Sequence, residues 1–262
     1  MQRYIKLYLK MISANVAVLA SYRVAFINMF LVGIVWGSFL LISTIILTTK
    51  ISGIAGWSRS DLILLAAMYN IVMGVFYTLI APNFHSIPEI MQYGKLDLYL
   101  LRPIDAQFLL HWRTINLGGL GRIILGTVAI AIILNQHGIY PSVASLLSTF
   151  LLVLLSCLFL YGVWSTVSCV LFWQNRLKNI IELLYTTTGF GRYPRETIVS
   201  APFFLTLVAT PFFLTVSTPT RMLLGNFRFQ EFGLLIAATV ISLVVSRIIW
   251  LIGLRSYVGA SS

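Results

Sequence analysis

The sequence predicts an all-α integral membrane protein: an N-terminal amphipathic interface helix, then six transmembrane helices, with both termini in the cytosol. Three observations predict it. Hydrophobic residues fill 59% of the 262 positions and charged residues only 10%, against roughly 25% charged in a soluble domain. The mean hydropathy is +0.93. The apolar residues fall into six runs, most of them near or above the roughly 20 needed to cross a bilayer. The chain reads as one transmembrane domain over 1–262.

Residues 1–23 lack a compact apolar core followed by a small-residue cleavage site, so they do not read as a cleavable signal. Arg3, Lys6 and Lys10, continued by Ser13, share one helical face, with Tyr4, Ile5, Tyr8, Leu9 and Ile12 on the rest. That is the pattern of a helix lying in the interface plane. The first span covers 24–48. The second covers 61–81, after the cap residues Ser58 and Ser60 and before Pro82. A polar connection occupies 83–113, and the third span 117–135. The fourth run, 142–173, is too long for one upright span and too short for two, so it is expected to tilt or project. Residues 174–198 are polar and basic. The fifth span is expected at 199–217, with Pro202, Pro211 and Pro219 marking irregular helix, and the sixth at 232–254.

The bases set the orientation. With the N-terminus inside, the cytosolic segments hold Arg3, Lys6, Lys10, Arg23, Lys95, Arg102, Arg113, Arg176, Lys178, Arg192, Arg195 and Arg255. Outer loops hold only Lys50, Arg59, Arg221 and Arg228. Positive residues are retained on the cytosolic side, so this count favours six spans with both ends inside. The net charge of +11 is scattered between apolar runs. It therefore reads as topology and attraction to anionic lipid headgroups, with no nucleic-acid partner.

Several chemistries are excluded. No Gly-x-x-x-x-Gly-Lys-Ser/Thr loop is present to cradle a nucleotide. His85, His111 and His137 are isolated, and nothing has metal-ligand or nucleophile spacing. Cys157 and Cys169 lie about 18 Å apart along one helix, too far to bridge. No catalytic residue, cofactor site or metal site is expected in this chain. Gly33 and Gly37 form a Gly-x-x-x-Gly step that suits close helix packing, within this subunit or against a second one. Arg122 and Arg247 fall inside spans, where charge is costly. They read as snorkelling residues or as part of a polar pathway.

The connection at 83–113 stands out. Glu89, Asp97 and Asp105 are three of the seven acids in the protein. Residues 83–92 suit a short helix, with Asn83 or Ser86 as cap and Pro88 in its first turn. Gly94 then breaks the helix, and Pro103 directs an extended exit from Leu101–Arg102.

The segment Gly94-Lys-Leu-Asp-Leu-Tyr-Leu-Leu-Arg-Pro-Ile-Asp105 resembles the Gly-x-Leu-Asp-x-x-Leu-x-Arg-Pro signature of ATP-binding-cassette permeases of the type-2 exporter class, with Gly94, Asp97, Arg102 and Pro103 at the matching positions. Phe172-Trp173-x-x-Arg176, Gly191-Arg-Tyr-Pro194, and Pro211 through Pro219 with Leu223-Leu-Gly225 extend the resemblance along the chain. It implies a permease that pairs with a second permease, the same chain or a paralogue, and docks on a nucleotide-binding ATPase subunit. ATP and magnesium would then sit on that partner. It also implies a coupling helix at about 84–93, with Phe84, His85, Ile87, Glu89, Ile90 and Tyr93 as docking residues and Lys6 and Lys10 flanking them. The substrate pathway is expected at Asn28, Trp36, Tyr69 and Asn70. The setting implied is a prokaryotic plasma membrane, and the activity export. The rival reading, a self-contained secondary transporter or channel, needs ion-binding acids at mid-membrane, and the predicted spans hold almost none.

Overall fold

A backbone in lipid has no water to bond to, so an apolar chain crosses as helices. Among this chain's described residues, six helices are long and apolar enough to do so. A computed structural model describes residues 2–50, 53–174, 177, 179–198 and 202–257. The side chain of Arg3, and Arg176, Lys178 and positions 199–201, all invoked in the sequence reading, lie outside the described residues.

The N-terminal helix α1 (Gln2–Ser21) breaks at Tyr22, and α2 (Arg23–Thr49) is the first long apolar helix. A two-residue hairpin pairs β1 (Gly53–Ile54) with β2 (Trp57–Ser58). Ser58 then caps α3 (Arg59–Leu79) in a reciprocal capping box with Asp61. Four short helices follow: α4 (Ala81–Phe84), α5 (Ile87–Gln92), α6 (Asp97–Leu100) and α7 (Ala106–His111). Helix α8 spans Gly119–Gln136. Ser142 caps α9 (Val143–Ser168), which a 3-10 turn prolongs through Phe172. After α10 (Ile180–Thr188) come 3-10 turns at Gly189–Arg192 and Arg195–Ile198, then α11 (Phe203–Leu223) and α12 (Phe229–Ser256).

Helix α3 is the most enclosed span, with Tyr69, Asn70, Val72, Met73 and Phe76 at or below 1% exposure. Small residues make that enclosure possible. A Cβ on Gly126 would sit 2.6 Å from the Ala67 carbonyl oxygen, and one on Gly74 2.9 Å from that of Gly119. Helices α3 and α8 therefore meet backbone to backbone. On the other side of α3, Trp164 of α9 stacks edge-on against Phe76 and Phe84 at 5.0 and 5.7 Å.

Two expectations are corrected. The fifth span ends at Leu223 rather than 217, because Pro211 and Pro219 both lie inside α11. Hydroxyls of Thr210, Thr215, Ser217 and Thr220 bond back to carbonyls along its length. Such side chains help a proline-bearing helix persist in lipid. The stretch 174–198 was expected to stay on the basic side. Instead its part from α10 onward, residues 180–198, climbs α3 in three steps. Tyr185 packs on Tyr77 at 5.6 Å, Arg192 sits over Tyr69 at 5.4 Å, and Glu196 accepts from the Trp57 indole at 2.8 Å. Arg195 and Arg192 were counted with the basic side; Arg195 lies at the opposite end and Arg192 part-way up. There Arg195, Arg221 and Arg228 surround Glu231 at 3.5, 3.5 and 3.3 Å. Acids in the same chain hold these bases, so a count of charges along the sequence misplaces Arg195.

Candidate functional site: docking face and cavity

The polar connection folds as a platform under the bundle. Asn83 fixes its start: its amide accepts from Thr114 N–H at 2.7 Å and donates to the Thr114 carbonyl at 3.0 Å. This clamps the chain leaving α3 to the chain entering α8. A single helix over 83–92 was expected. A turn at His85–Ser86 divides it into α4 and α5, each with a proline in its first turn. Gly94, at φ +63°, ends α5. Lys95 N–H bonds the Ile90 carbonyl at 2.9 Å and Gly94 N–H that of Met91 at 3.3 Å. That pair of bonds is a Schellman cap, which needs a left-handed residue, and it gives the signature glycine a physical reason.

The turn sorts the expected docking residues into two sets. Phe84, Ile87 and Ile90 are buried in this chain's own core at 0, 1 and 5% exposure, so they do not present a surface to a partner. An apolar face of so short an amphipathic helix must cover its own bundle. His85, Glu89 and Tyr93 are exposed. Glu89 pairs with Lys95 at 2.9 Å, and the hydrogen bond from Lys95 holds its carboxyl below the usual range. One face of the His85 ring packs on Tyr185 at 5.4 Å, and this partial desolvation holds its imidazole below the ordinary pKa. Beyond Gly94 the surface continues through Leu98, Leu101 and Arg102, with Leu98 and Leu101 at 61 and 83% exposure. Pro103 is also exposed. Arg102 lies over the Tyr99 ring at 5.8 Å, and Asp97 opens α6. Sequence reasoning missed the two leucines because Leu-x-x-Leu in an apolar chain looks like core.

The platform is tied to the bundle by charge. Asp105 caps α7 by accepting from Phe108 N–H at 3.0 Å and also accepts from Arg247 of α12 at 2.7 Å. Arg247 donates to Gln107 Oε1 at 2.7 Å, and Gln107 donates to Ser165 and Ser246. The guanidinium of Arg113 bonds Tyr99 and Ser86, joining α6 to the α4–α5 turn. Helix α1 lies along this platform through Tyr4 on Phe108 and Tyr8 on Trp112, and the Asn15 amide donates to the Arg113 carbonyl at 2.8 Å. Lys6 and Lys10 point away from that contact and are exposed.

A cavity of about 720 Å³ opens beside the platform, between α2, α3, α8 and α10. Asn28 and Trp36 line it. Tyr69 reaches it only through Arg192, whose Nε donates to the Tyr69 hydroxyl at 3.3 Å. Asn70 is buried packing, donating to the carbonyls of Gly37 and Ala66 at 3.3 and 3.2 Å. Gly33 and Gly37 face this chain's own Gly118, Leu125 and Asn70. Arg122 reaches into the cavity with its guanidinium 5.1 Å above the Tyr77 ring and its Nε without a partner.

Residues 32–261 match the family model described as ABC-2 family transporter protein. The chain belongs to that family. No curated protein and no solved structure gives a match. An ABC-2 permease is the membrane component of an ABC transporter, and the family implies partnership with an ATP-binding subunit. The six apolar helices make this ABC-2 permease a multi-pass membrane protein.

Proposed function

We propose that this ABC-2 permease is one half of the membrane path of an exporter in a prokaryotic plasma membrane. A second permease, the same chain or a paralogue, completes the path. A separate nucleotide-binding subunit binds ATP and magnesium and docks on the exposed face formed by His85, Glu89, Tyr93, Leu98, Leu101 and Arg102. Closure of that subunit on ATP pushes the platform, and the Asp105–Arg247 link carries the push into α12. A ligand shifts such an equilibrium only through differential binding to the two states, so ATP must favour one arrangement of the platform. Lys6 and Lys10 hold α1 against anionic headgroups at the same surface.

The observation that carries this reading is one exposed face, mixed in charge and apolar character, on a platform whose other side is bonded to the bundle. A free surface of that composition fits a protein partner. The secondary-transporter reading lacks support: Glu231, the deeply buried acid among the described residues, is matched by three arginines. The test is co-purification with the ATPase encoded beside it. Tyr93→Asp and Leu101→Asp should each abolish the complex, whereas Leu147→Asn, far from the platform, should not. Retention of the complex by both platform variants would refute the docking role.

A further inference from the structure

Arg122 is a guanidinium without a counter-charge. It is about nine-tenths buried, at 9% exposure. Among the described residues no carboxylate lies within ion-pair distance of it, and its Nε has no hydrogen-bond partner. Its neighbour is the face of Tyr77. A buried cation so placed is expensive, and a fold that needed only packing would gain by an apolar residue there. The group is aimed into the 720 Å³ cavity.

The cavity is divided by chemistry. Helix α2 contributes Met29, Val32 and Trp36, with Asn28 beside them; other segments contribute Asn116, Arg122 and Arg192. Glu182 also lines it, at the rim shared with the pocket above α5, where it is exposed to water. Arg192 is exposed too, so the dehydrated charge in the cavity is that of Arg122. With its Nε unpartnered, the guanidinium fits an oxyanion, since it holds planar oxyanions through paired N–H groups. The apolar wall fits a chain attached to that oxyanion.

We infer that the cavity binds an amphipathic anion, its phosphate-like or carboxylate head on Arg122 with Arg192 as the second cation and its apolar part along Met29, Val32 and Trp36. This rests on the permease reading, because it names the class of substrate that the path carries. The Gly33–Gly118 approach seats α2 beside Arg122: a Cβ on Gly33 would collide with the Gly118 carbonyl oxygen and lie 3.8 Å from Arg122 Cγ. A lipid with an acidic headgroup and a free amphiphilic acid share this chemistry.

The purified full chain in neutral-lipid nanodiscs is titrated with decyl phosphate, inorganic phosphate and a neutral decyl glycoside. Decyl phosphate should bind, Arg122→Gln should weaken it about tenfold or more, and Arg122→Lys should restore part of the loss. Arg192→Gln should weaken it less. Nanodiscs with acidic lipid should compete if a membrane headgroup is the natural occupant, and leave the titration unchanged if a free acid is. Equal binding of the neutral glycoside, or unchanged affinity in Arg122→Gln, overturns the anion assignment. Equal binding of inorganic phosphate overturns the apolar half. If Arg122→Gln fails to fold, Arg192→Gln and the ligand series decide the matter. Co-purification with the ATPase is scored separately, so loss of docking with retained decyl phosphate binding refutes the permease mechanism and leaves the site standing.

Discussion

Arg247, most of the way along α12, donates to Asp105 of the platform at 2.7 Å and to Gln107 beside it at 2.7 Å. The sequence separates these partners by more than half the chain, yet they bond the platform to the last span, beside the Gln107–Ser246 and His111–Trp250 contacts. The bond also removes the reading of Arg247 as a residue that merely reaches for headgroups.

Breaking this link should uncouple without undocking. Arg247→Met is expected to keep the ATPase bound while the stimulated ATPase rate falls several-fold, read by hydrolysis in proteoliposomes. Burial raises the Asp105 pKa, but the Arg247 hydrogen bond and the Phe108 N–H outweigh it, leaving it below the ordinary 3.8. A carboxyl held below its unfolded value contributes fully above that value and loses its contribution as pH falls through the lower folded one. The link is therefore insensitive to pH throughout the neutral range, and rate profiles there should show no step that Asp105→Asn removes.

His111 behaves differently in acid. It is enclosed by Phe84, Tyr161 and Trp250, and burial pushes its imidazole down from 6.5 to about 3. The folded chain keeps it neutral while the unfolded chain binds a proton below 6.5. Its contribution is whole above 6.5 and is lost progressively as pH falls toward 3. Thermal unfolding between those pH values should show a declining midpoint, and His111→Phe should flatten the decline.

The cluster at the other end of the bundle should be unequal in its parts. Glu231 is 2% exposed and Arg221 12%, whereas Arg228 is 55% exposed. Removing one partner of a buried pair leaves an uncompensated charge and costs about 3 kcal/mol or more. Glu231→Gln should destabilise on that scale in detergent unfolding. Arg228→Gln should change stability by less than about 1 kcal/mol, because exposed pairs are screened.

Two glycines offer a clean contrast. A Cβ on Gly33 would collide with the backbone of Gly118, which cannot rotate away as a side chain would. Gly33→Ala should cost about 1–3 kcal/mol. Gly233 in α12 has open space around its missing Cβ. Gly233→Ala should be neutral or stabilising by about 0.5–1 kcal/mol. Parallel unfolding curves check both.

The six apolar helices were legible because lipid imposes one requirement on every residue of a span, and composition records it. The signature glycine was legible too: Gly94 needs a left-handed backbone at the end of α5. What escaped the sequence depends on partners far apart in the chain. Pro219 looks like a helix stop until neighbouring hydroxyls are seen bonding back into α11. Arg195 looks cytosolic until Glu231 is found beside it. Phe84, Ile87 and Ile90 share a local pattern with the exposed residues around them, and only the packed bundle decides which side faces in.

Docking can be read directly from accessibility. Single cysteines at Glu89, Tyr93 and Leu101 should label rapidly with a maleimide in the free permease, while one at Ile87 should not. The partner ATPase should protect the first three, and a further cysteine at Tyr140, exposed beyond α8, should label equally with and without it. Unchanged labelling of Glu89, Tyr93 and Leu101 in a complex that still hydrolyses ATP would contradict the account.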